Sequence, residues 1–561
     1  MAVSNEVIAE SFSLLAKLMD IHGDNPFKIK SYAAASFSID KLTEELNNIP
    51  REKILTIKGI GPSIGKQIIE ILDTGDLPQL HEIISKTPPG ILEMLRIKGL
   101  GPKKISTIWK EMEIESIGEL MYACNENRLM LYKGFGEKTQ NNIRDTIAFY
   151  LRSQGSFLYA EVEGYVLTTE KKLRESFPGE GIAVTGAFRR QLETLEQTDW
   201  ITTIPIPSLS DFFISQNIPI ESIENDQLII AGTENIKLTF EVVTSSAFYS
   251  RLFETSCSRN FLEFWKEQFK MKSEPESEEK IFEDAGIHFI PAPLREEPAI
   301  IQKSASVTPP HLIRYADIRG IIHSHSQWSD GSYTIEEMAK ACIGQGFEYL
   351  VISDHSKSAF YANGLSEERI REQHRQVEEL NARLAPFYIF KSIECDILHD
   401  GNLDYNDQIL STFDLVICSI HSNLKMSGEK AMIRLLGAIQ NPHTRILGHP
   451  TGRLLLSRAG YPVDHHTLID ACAANQVVIE LNAHPRRLDI DWRWIDYALQ
   501  KNVMISINPD AHSIAGYHDI HYGVLAAQKG GLTAASNLSS FTLEQMKVFV
   551  NQKRQASLNN V

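Results

Sequence analysis

The sequence predicts a multidomain protein: an all-α N-terminal region of helices joined by glycine hairpins, an α+β middle, and a C-terminal distorted (β/α)7 barrel. Three observations carry this. In residues 1–150 a Gly-x-Gly turn recurs three times, each time followed by an amphipathic helical pattern. Residues 151–240 switch to short β-rich runs with helical stretches between them. From Asp317 onward seven apolar β-rich runs recur, most of them separated by amphipathic helical stretches, the pattern of a parallel sheet with crossover helices. The chain has 561 residues, 43% hydrophobic and 23% charged, which is ordinary globular composition and excludes a disordered or fibrous chain. At roughly 150 residues per domain there is room for three or four.

The hairpin stretches read LTIKGIGPSIGKQIIEIL, LRIKGLGPKKISTIWKEM and LYKGFGEKTQNNIRDTI. They place Lys58, Lys98 and Lys133 directly before Gly59-Ile60-Gly61, Gly99-Leu100-Gly101 and Gly134-Phe135-Gly136. Glycine permits positive φ and lets another backbone approach closely. The helix that follows offers unpaired amides to a phosphate. One such turn reads equally well as a plain helix connection. Three, each with a lysine at the same place, resemble helix-hairpin-helix modules, which bind DNA phosphates without reading sequence.

A formal charge of −16 looks wrong for a protein that grips a polyanion. Its distribution changes that reading. Residues 1–150 carry 18 Lys+Arg against 20 Asp+Glu, residues 151–314 carry 16 against 25, and the remainder 22 against 27. The hairpin segment is nearly neutral, and the expected consequence is modest, salt-sensitive affinity for DNA.

In the middle, Tyr165–Leu167, Gly181–Thr185, Ile201–Ile206 and Leu228–Ala231 are the expected strands. KMKSEPESEEKIFEDAG (270–286) is expected to be a partly exposed connection, and Ser304–Pro310 has linker composition. The expected boundaries are 1–150, 151–240, 241–310 and 311–561. Six cysteines without a C-x-x-C pair suit a reducing compartment. The opening MAVSNEVIAESFSLL has acidic residues where a secretory leader needs basic ones, and no run approaches the ~18 apolar residues of a membrane span. A cytoplasmic protein away from membranes is expected.

The barrel runs are Ile318–Ile322, Tyr349–Ile352, Tyr388–Ile393, Leu415–Ile420, Arg445–Leu447, Val477–Leu481 and Val503–Ile507. Six of the seven end in a potential metal ligand. The first gives His323 and His325 with Asp330 in the turn, the second His355, the third Glu394, the fourth His421, the fifth His449, and the seventh Asp510 and His512. In parallel barrels the site forms at the carboxyl ends of the strands, so ligands spread along the chain converge on one mouth. Histidine suits Zn²⁺, Mn²⁺ or Fe²⁺, and carboxylates can bridge two ions. Nine candidates exceed what one ion can use, which argues for two or three divalent ions. Any one of these histidines alone reads as a hydrogen-bonded structural residue; six strand ends in agreement do not. Arg486 and Arg487, just after the sixth strand, either clamp a phosphate or pair with Asp489 or Asp491.

DIRGIIHSHSQWSDGSYTIEEMA, YLVISDHS, IECDIL, ICSIHS, GHPTGRLL, IELNAHPRRLDIDWRW and INPDAHS resemble the PHP (polymerase and histidinol phosphatase) domain, in the form found at the C-terminus of bacterial family X DNA polymerases. NPFKIKSYAAASFSI, the hairpins and IFEDAGIHFIPAPLRE are similar to that family in the same order, so the resemblance covers nearly the whole chain. It implies that His323, His325, Glu394 and Asp510 hold one ion, that Asp330, His355 and His512 hold a second, and that His421 and His449 hold a third with Glu394 bridging. It also implies 3′→5′ removal of nucleotides from DNA ends, usually with Mn²⁺.

The same resemblance exposes departures. TGAFRRQLETLEQTDWITTIPI is similar to the family's nucleotidyltransferase palm through Gly186, Arg189, Arg190, Glu193, Thr194 and Asp199. The family's serine is Ala187 here, the first aspartate of its pair is Gln197, and Thr239 stands at the expected third aspartate, followed by Glu241. Two-metal phosphoryl transfer needs those carboxylates, so templated synthesis is expected to be lost, leaving a palm and thumb that place DNA. The position matching the family's lyase lysine is Gln67, beside Lys66, which speaks against lyase activity. The leading expectation is a monomeric, nucleoid-associated 3′→5′ exonuclease in repair, guided to DNA ends, gaps or nicks. A bifunctional polymerase and exonuclease, an inert DNA-binding scaffold, and a small phosphate-monoester hydrolase are the alternatives.

Overall fold

The computed structural model describes residues 3–558 apart from 43, 58–59, 118–119, 121–122, 125–128, 130–131, 154, 233–235, 271–273, 425 and 457–458. The chain divides into two compact units, Met1–Gln154 and Gly155–Val561.

The regular elements described in the first unit are helices. Asn5–His22 starts at Ser4, whose hydroxyl oxygen accepts from the Val7 N–H, and stops at Gly23 in the left-handed region. Pro62–Thr74, Pro102–Lys110 and Glu137–Ser153 are the helices expected after the three Gly-x-Gly turns. Proline at the first helical position, whose missing N–H would be unpaired anyway, fixes where two of them begin. The middle residue of each turn, Ile60, Leu100 or Phe135, is buried in the core of this unit with Phe12, Leu15, Ile68 and Ile105. The apolar plug thus holds Gly61, Gly99, Gly101, Gly134 and Gly136 at the surface.

The second unit contains a middle sheet and a barrel. The middle sheet has β1 (Ile182–Thr185), β2 (Gln197–Thr202), β3 (Ile220–Glu224), β4 (Gln227–Ala231) and β5 (Lys237–Val242), in the order β1-β2-β5-β4-β3. β2 and β5 are parallel and the other pairs antiparallel. Three expectations need correction. Tyr165–Leu167 is not a strand but lies inside the helix Tyr159–Ser176. Val162, Val166, Thr169 and Leu173 form its buried stripe at helical spacing, which outweighs the local β-rich run. The strand expected at Ile201–Ile206 ends at Thr202, and Ile206 opens the helix Ile206–Ser215 with Pro207 in its first turn. Within 270–286, Ser277 caps a helix, Glu278–Asp284, whose Ile281 and Phe282 are buried against Phe253, Phe261 and Trp265.

The barrel strands are β6 (Gly320–Ser324), β7 (Tyr349–Ile352), β8 (Tyr388–Asp396), β9 (Leu415–Ser419), β10 (Ile446–Leu447), β11 (Val478–Asn482) and β12 (Ile505–Asn508), all parallel and paired in chain order. Alternate residues face two cores. Ile321, Leu350 and Val416 pack against the surrounding helices. Ile322, Val351, Phe390, Ile417, Ile446 and Val478 fill the interior, joined by Leu538 and by Met546 from the helix Leu543–Leu558. Among the described residues, the first strand meets the segment just after the last at one parallel bridge, Ser324 with Ala511. There the His325 N–H donates to the Ala511 carbonyl at 2.9 Å and the Ala511 N–H to the His323 carbonyl at 3.3 Å. The barrel is thus nearly closed, and it closes at its carboxyl mouth.

Candidate metal centre

The nine side chains singled out from the strand ends gather at that mouth around Glu394, which is fully buried on β8. Glu394 Oε1 lies 3.3 Å from His323 Nε2, 3.1 Å from His421 Nε2 and 3.0 Å from His449 Nε2; Oε2 lies 3.0 Å from His355 Nδ1 and 3.7 Å from His325 Nε2. Asp510 Oδ1 is 3.0 Å from His325 Nε2 and 3.3 Å from His323 Nε2. Asp330 Oδ2 is 3.5 Å from His355 Nε2 and 3.4 Å from His512 Nε2. His323 and His325 are inaccessible, whereas the side chains of Asp330 and His512 are 34% and 43% exposed, so the cluster runs from the barrel interior to its rim.

Three sets of donor atoms lie within 4.8 Å of one another among the described residues: His323, His325, Glu394 and Asp510; His325, Asp330, His355 and His512; and His355, Glu394 and His421. The first is the set the resemblance implies. In the others His325 and His355 are shared, so each serves two groups. His449 reaches the oxygen of Glu394 that His421 also approaches.

The electrostatics keep the two innermost carboxylates ionised. Burial alone would raise the Glu394 carboxyl, but His421, His323 and His355 around it prevail and hold it well below the usual carboxylate range. Asp510 is held low in the same way by His323 and His325. Burial, with His355 beside it, pushes His325 down to about 3, which leaves a neutral ring with a free lone pair. His323 Nε2, His325 Nδ1, His355 Nδ1 and Glu394 Oε2 are buried without a hydrogen-bond partner. Converging orphaned nitrogens and carboxylate oxygens are a donor set that fits divalent cations.

Two carboxylates absent from the sequence-predicted set orient the rings. Glu480 on β11 lies 2.6 Å from His323 Nδ1, and Asp396 at the end of β8 contacts His421 Nδ1. Each fixes one ring nitrogen and so aims the other at Glu394. Glu480 also accepts from the His449 N–H at 3.1 Å and from Asn508 Nδ2 at 2.8 Å. His323 and Asp510 adopt φ of +65° and +51°. Non-glycine residues held in that region cost on the order of 1–3 kcal/mol each and concentrate at functional sites.

Arg486 and Arg487 pair with neither Asp489 nor Asp491. Arg486 Nη2 is 3.1 Å from Glu161 Oε1, and Arg487 Nε is 3.8 Å from Asp510 Oδ2. In the first unit, Lys98, Gly99 and Gly101, and Lys133, Gly134 and Gly136, are exposed; Lys58 and Gly59 lie outside the described residues. Gly99 and Gly134 have φ of +91° and +95°, which requires glycine. A Cβ on Gly61, Gly101 or Gly136 would meet no atom within 4 Å, so the surface there is open to a backbone approaching from outside.

The middle sheet has its own cleft of about 400 Å³, lined by Gly186, Arg190, Asp199, Thr239 and Glu241 among others. Register places Asp199 opposite Thr185 on one side and Thr239 on the other. Gln197 Nε2 donates to Asp199 Oδ1 at 2.6 Å, and burial raises the Asp199 carboxyl above its ordinary value. Gly186 is at φ +62°, and a Cβ there would lie 2.4 Å from Asp199 Oδ2. Glu241 accepts from Arg251 Nε at 2.8 Å and from its Nη2 at 3.0 Å. Arg189 turns to Glu278 and Ser256, and Arg190 to Glu296 at 3.1 Å.

The DNA polymerase/3′-5′ exonuclease PolX of Bacillus subtilis is 31% identical over 564 residues, covering 96% of this chain and 98% of that protein. The chain belongs to the PolX family. Probable phosphatases match the C-terminal part: one of Caldanaerobacter subterraneus is 28% identical over 171 residues, covering 28% of this chain and 60% of that protein, and one of Thermoanaerobacter sp. is 27% identical over 165 residues, covering 28% and 62%. A helix-hairpin-helix domain matches residues 3–77, and a SAM-like helix-hairpin-helix tandem matches residues 91–148. PolX membership and the hairpin modules assign the chain to DNA processing, and the family and phosphatase similarities agree with a hydrolytic barrel. No helix among the described residues is long and apolar enough to cross a membrane.

Proposed function

We propose that the chain is a metal-dependent 3′→5′ DNA exonuclease acting in repair, on a palm and thumb (151–240 and 241–310) that no longer support templated synthesis. The convergence of His323, His325, His355, His421 and His449 on Glu394, with Glu480 and Asp396 holding two of the rings from behind, carries this reading. The nine side chains would hold two or three divalent ions, Mn²⁺, Zn²⁺ or Fe²⁺. Bound there, such ions would lower the pKa of water towards neutrality and so supply hydroxide at neutral pH. Glu394 and Asp510 contribute negative oxygens, the ring nitrogens complete the donor set, and Arg487 stands beside Asp510 where a phosphodiester oxygen would be drawn. The exposed glycines and Lys98 and Lys133 would take phosphates of DNA ends, gaps or nicks without reading sequence. A monomer in the cytoplasm, associated with the nucleoid, is the setting this implies.

Loss of synthesis is supported by the palm cleft. Asp199 is the one carboxylate left of the expected three, its oxygen is taken up by Gln197, and Glu241 is engaged by Arg251. At the lyase position Gln67 Nε2 donates to Tyr32 Oη at 3.0 Å and Gln79 Oε1 at 2.9 Å, which supports loss of lyase chemistry. The bifunctional reading is favoured by the Bacillus relative's name and by the retention of Asp199. A 5′-labelled gapped primer with Mn²⁺, with and without dNTPs, separates the two. Shortening abolished by His323→Ala is expected; extension that depends on Asp199 would establish the bifunctional reading instead.

A further inference from the structure

Palm residues 190–193 are tied to the barrel although the cleft beside them keeps one of the three expected aspartates. The Arg190 carbonyl accepts from Lys529 Nζ at 2.7 Å, and Gln191 Nε2 donates to Gln528 Oε1 at 2.9 Å. Glu193, 9% exposed, lies 3.3 Å from Arg493 Nη1 and 3.8 Å from Arg453 Nη2. Asp491 completes the group, 2.6 Å from Arg453 and 2.9 Å from Arg493. Two guanidiniums and two carboxylates make a charge-balanced network spanning palm and barrel, shielded at Glu193, Arg453 and Asp491 and exposed at Arg493.

The network grips one loop. Arg453 Nε donates to the Arg487 carbonyl at 2.9 Å, and its Nη2 donates to the Leu488 carbonyl. Leu488 is at φ +42°, a backbone that needs outside support in a leucine. This loop follows β11 and carries Arg487, whose guanidinium faces Asp510. A second tie, Glu161 to Arg486, fastens the same loop to the palm helix Tyr159–Ser176. The path from Glu193 to the mouth is therefore continuous: carboxylate, Arg453, loop carbonyls, Arg487, Asp510.

We infer that Glu193 is a positioning residue of the barrel mouth, acting through Arg453 on the Arg487 loop, and that the palm persists as a brace for hydrolysis. This rests on the exonuclease reading for its consequence, not for its geometry. It accounts for the retention of Glu193 beside a depleted aspartate set. Glu193→Gln keeps the shape and removes the charge that Arg453 and Arg493 share.

The full chain with Glu193→Gln, Arg487→Ala and both together is assayed for Mn²⁺-dependent shortening of a 5′-labelled primer, with hydrogen exchange of the 484–491 amides alongside. Glu193→Gln is expected to lower kcat/KM about tenfold, the lower end of the loss typical when support behind a metal site is removed. The double variant should lie within about twofold of Arg487→Ala, because residues acting in series do not add. Exchange of the loop should quicken about tenfold, the order of one lost buried charge-assisted contact, while the β6 and β8 amides are unmoved. Multiplying losses, full activity of Glu193→Gln, or unchanged loop exchange would each overturn the brace. Quickened exchange in a protein that never shortens DNA would support the brace and sink the exonuclease reading.

Discussion

The barrel mouth and the palm cleft are both built to carry carboxylates at strand ends, yet they have been filled in opposite ways. At the mouth, two of the inward nitrogens are aimed by a carboxylate behind their ring. Glu480 and Asp396 hold His323 and His421 from behind, and the orphaned atoms converge on one volume. In the cleft the polar atoms satisfy one another: Gln197 donates to Asp199, Arg251 engages Glu241, and Glu278 engages Arg189. A site whose polar groups are mutually satisfied has little left for a ligand, whereas a buried set of unsatisfied donor atoms is costly unless a cation completes it. Hydrogen-bond satisfaction separates the two regions more sharply than the inventory of residue types does.

The largest expected contrast is in activity. His323→Ala should reduce Mn²⁺-dependent primer shortening on the order of a thousandfold, the scale seen when electrostatic stabilisation of a reacting group is removed. Asp199→Ala should leave it within about twofold, since its side chain is not in the barrel. Initial rates on a sequencing gel check both, and equal losses would erase the distinction between the regions.

Stability should invert that contrast. Glu278 pairs with Arg189 and with the fully buried Arg295, 2.7 Å away. Glu278→Ala strands that guanidinium, and breaking a buried pair from one side costs about 3–5 kcal/mol. Denaturant unfolding should show the loss, here at a residue outside the barrel. Smaller again is Glu480→Gln, which keeps the size of the group behind His323 but weakens its hold. Loss of such support typically lowers metal affinity 10- to 100-fold; Mn²⁺ titration by calorimetry would detect it, and unchanged affinity would mean that Glu480 only packs.

What could be read in advance follows from the same physics. The barrel ligands were legible because each stands at the end of an apolar run, and parallel topology alone sends those ends to one place. Glu480 was not, because it sits inside the run Val477–Leu481, where a carboxylate reads as an interruption. The usable signal was its alternation with Asn482, which puts two polar side chains on the interior face of one strand. The helix Tyr159–Ser176 is hidden locally because Tyr165-Val166-Leu167 reads as a β-rich run in isolation, while the Val162–Val166–Thr169–Leu173 period emerges only over a longer window. The partners of Glu161 and Glu193 lie about three hundred residues downstream, and no local pattern connects them.

The smallest effect concerns the seam that joins the two regions. Lys529 is buried there, with Nζ 2.7 Å from Glu296 Oε1 and over the ring of Trp492. Burial lowers its pKa to about 8 despite Glu296, against 10.5 for an ordinary lysine. Between these values the unfolded chain holds the proton and the folded chain has released it. Unfolded protein thus binds more protons in this window, so stability contributed by this residue rises as pH increases from about 8 to about 10.5, and is level below it. Lys529→Met removes the titrating group while keeping much of its length, so the difference between wild type and variant in denaturant midpoint should shift toward wild type across that window. A difference independent of pH would mean that Glu296 holds the ammonium charged throughout, and that the seam, like the barrel mouth around Glu394, keeps a buried ion charged.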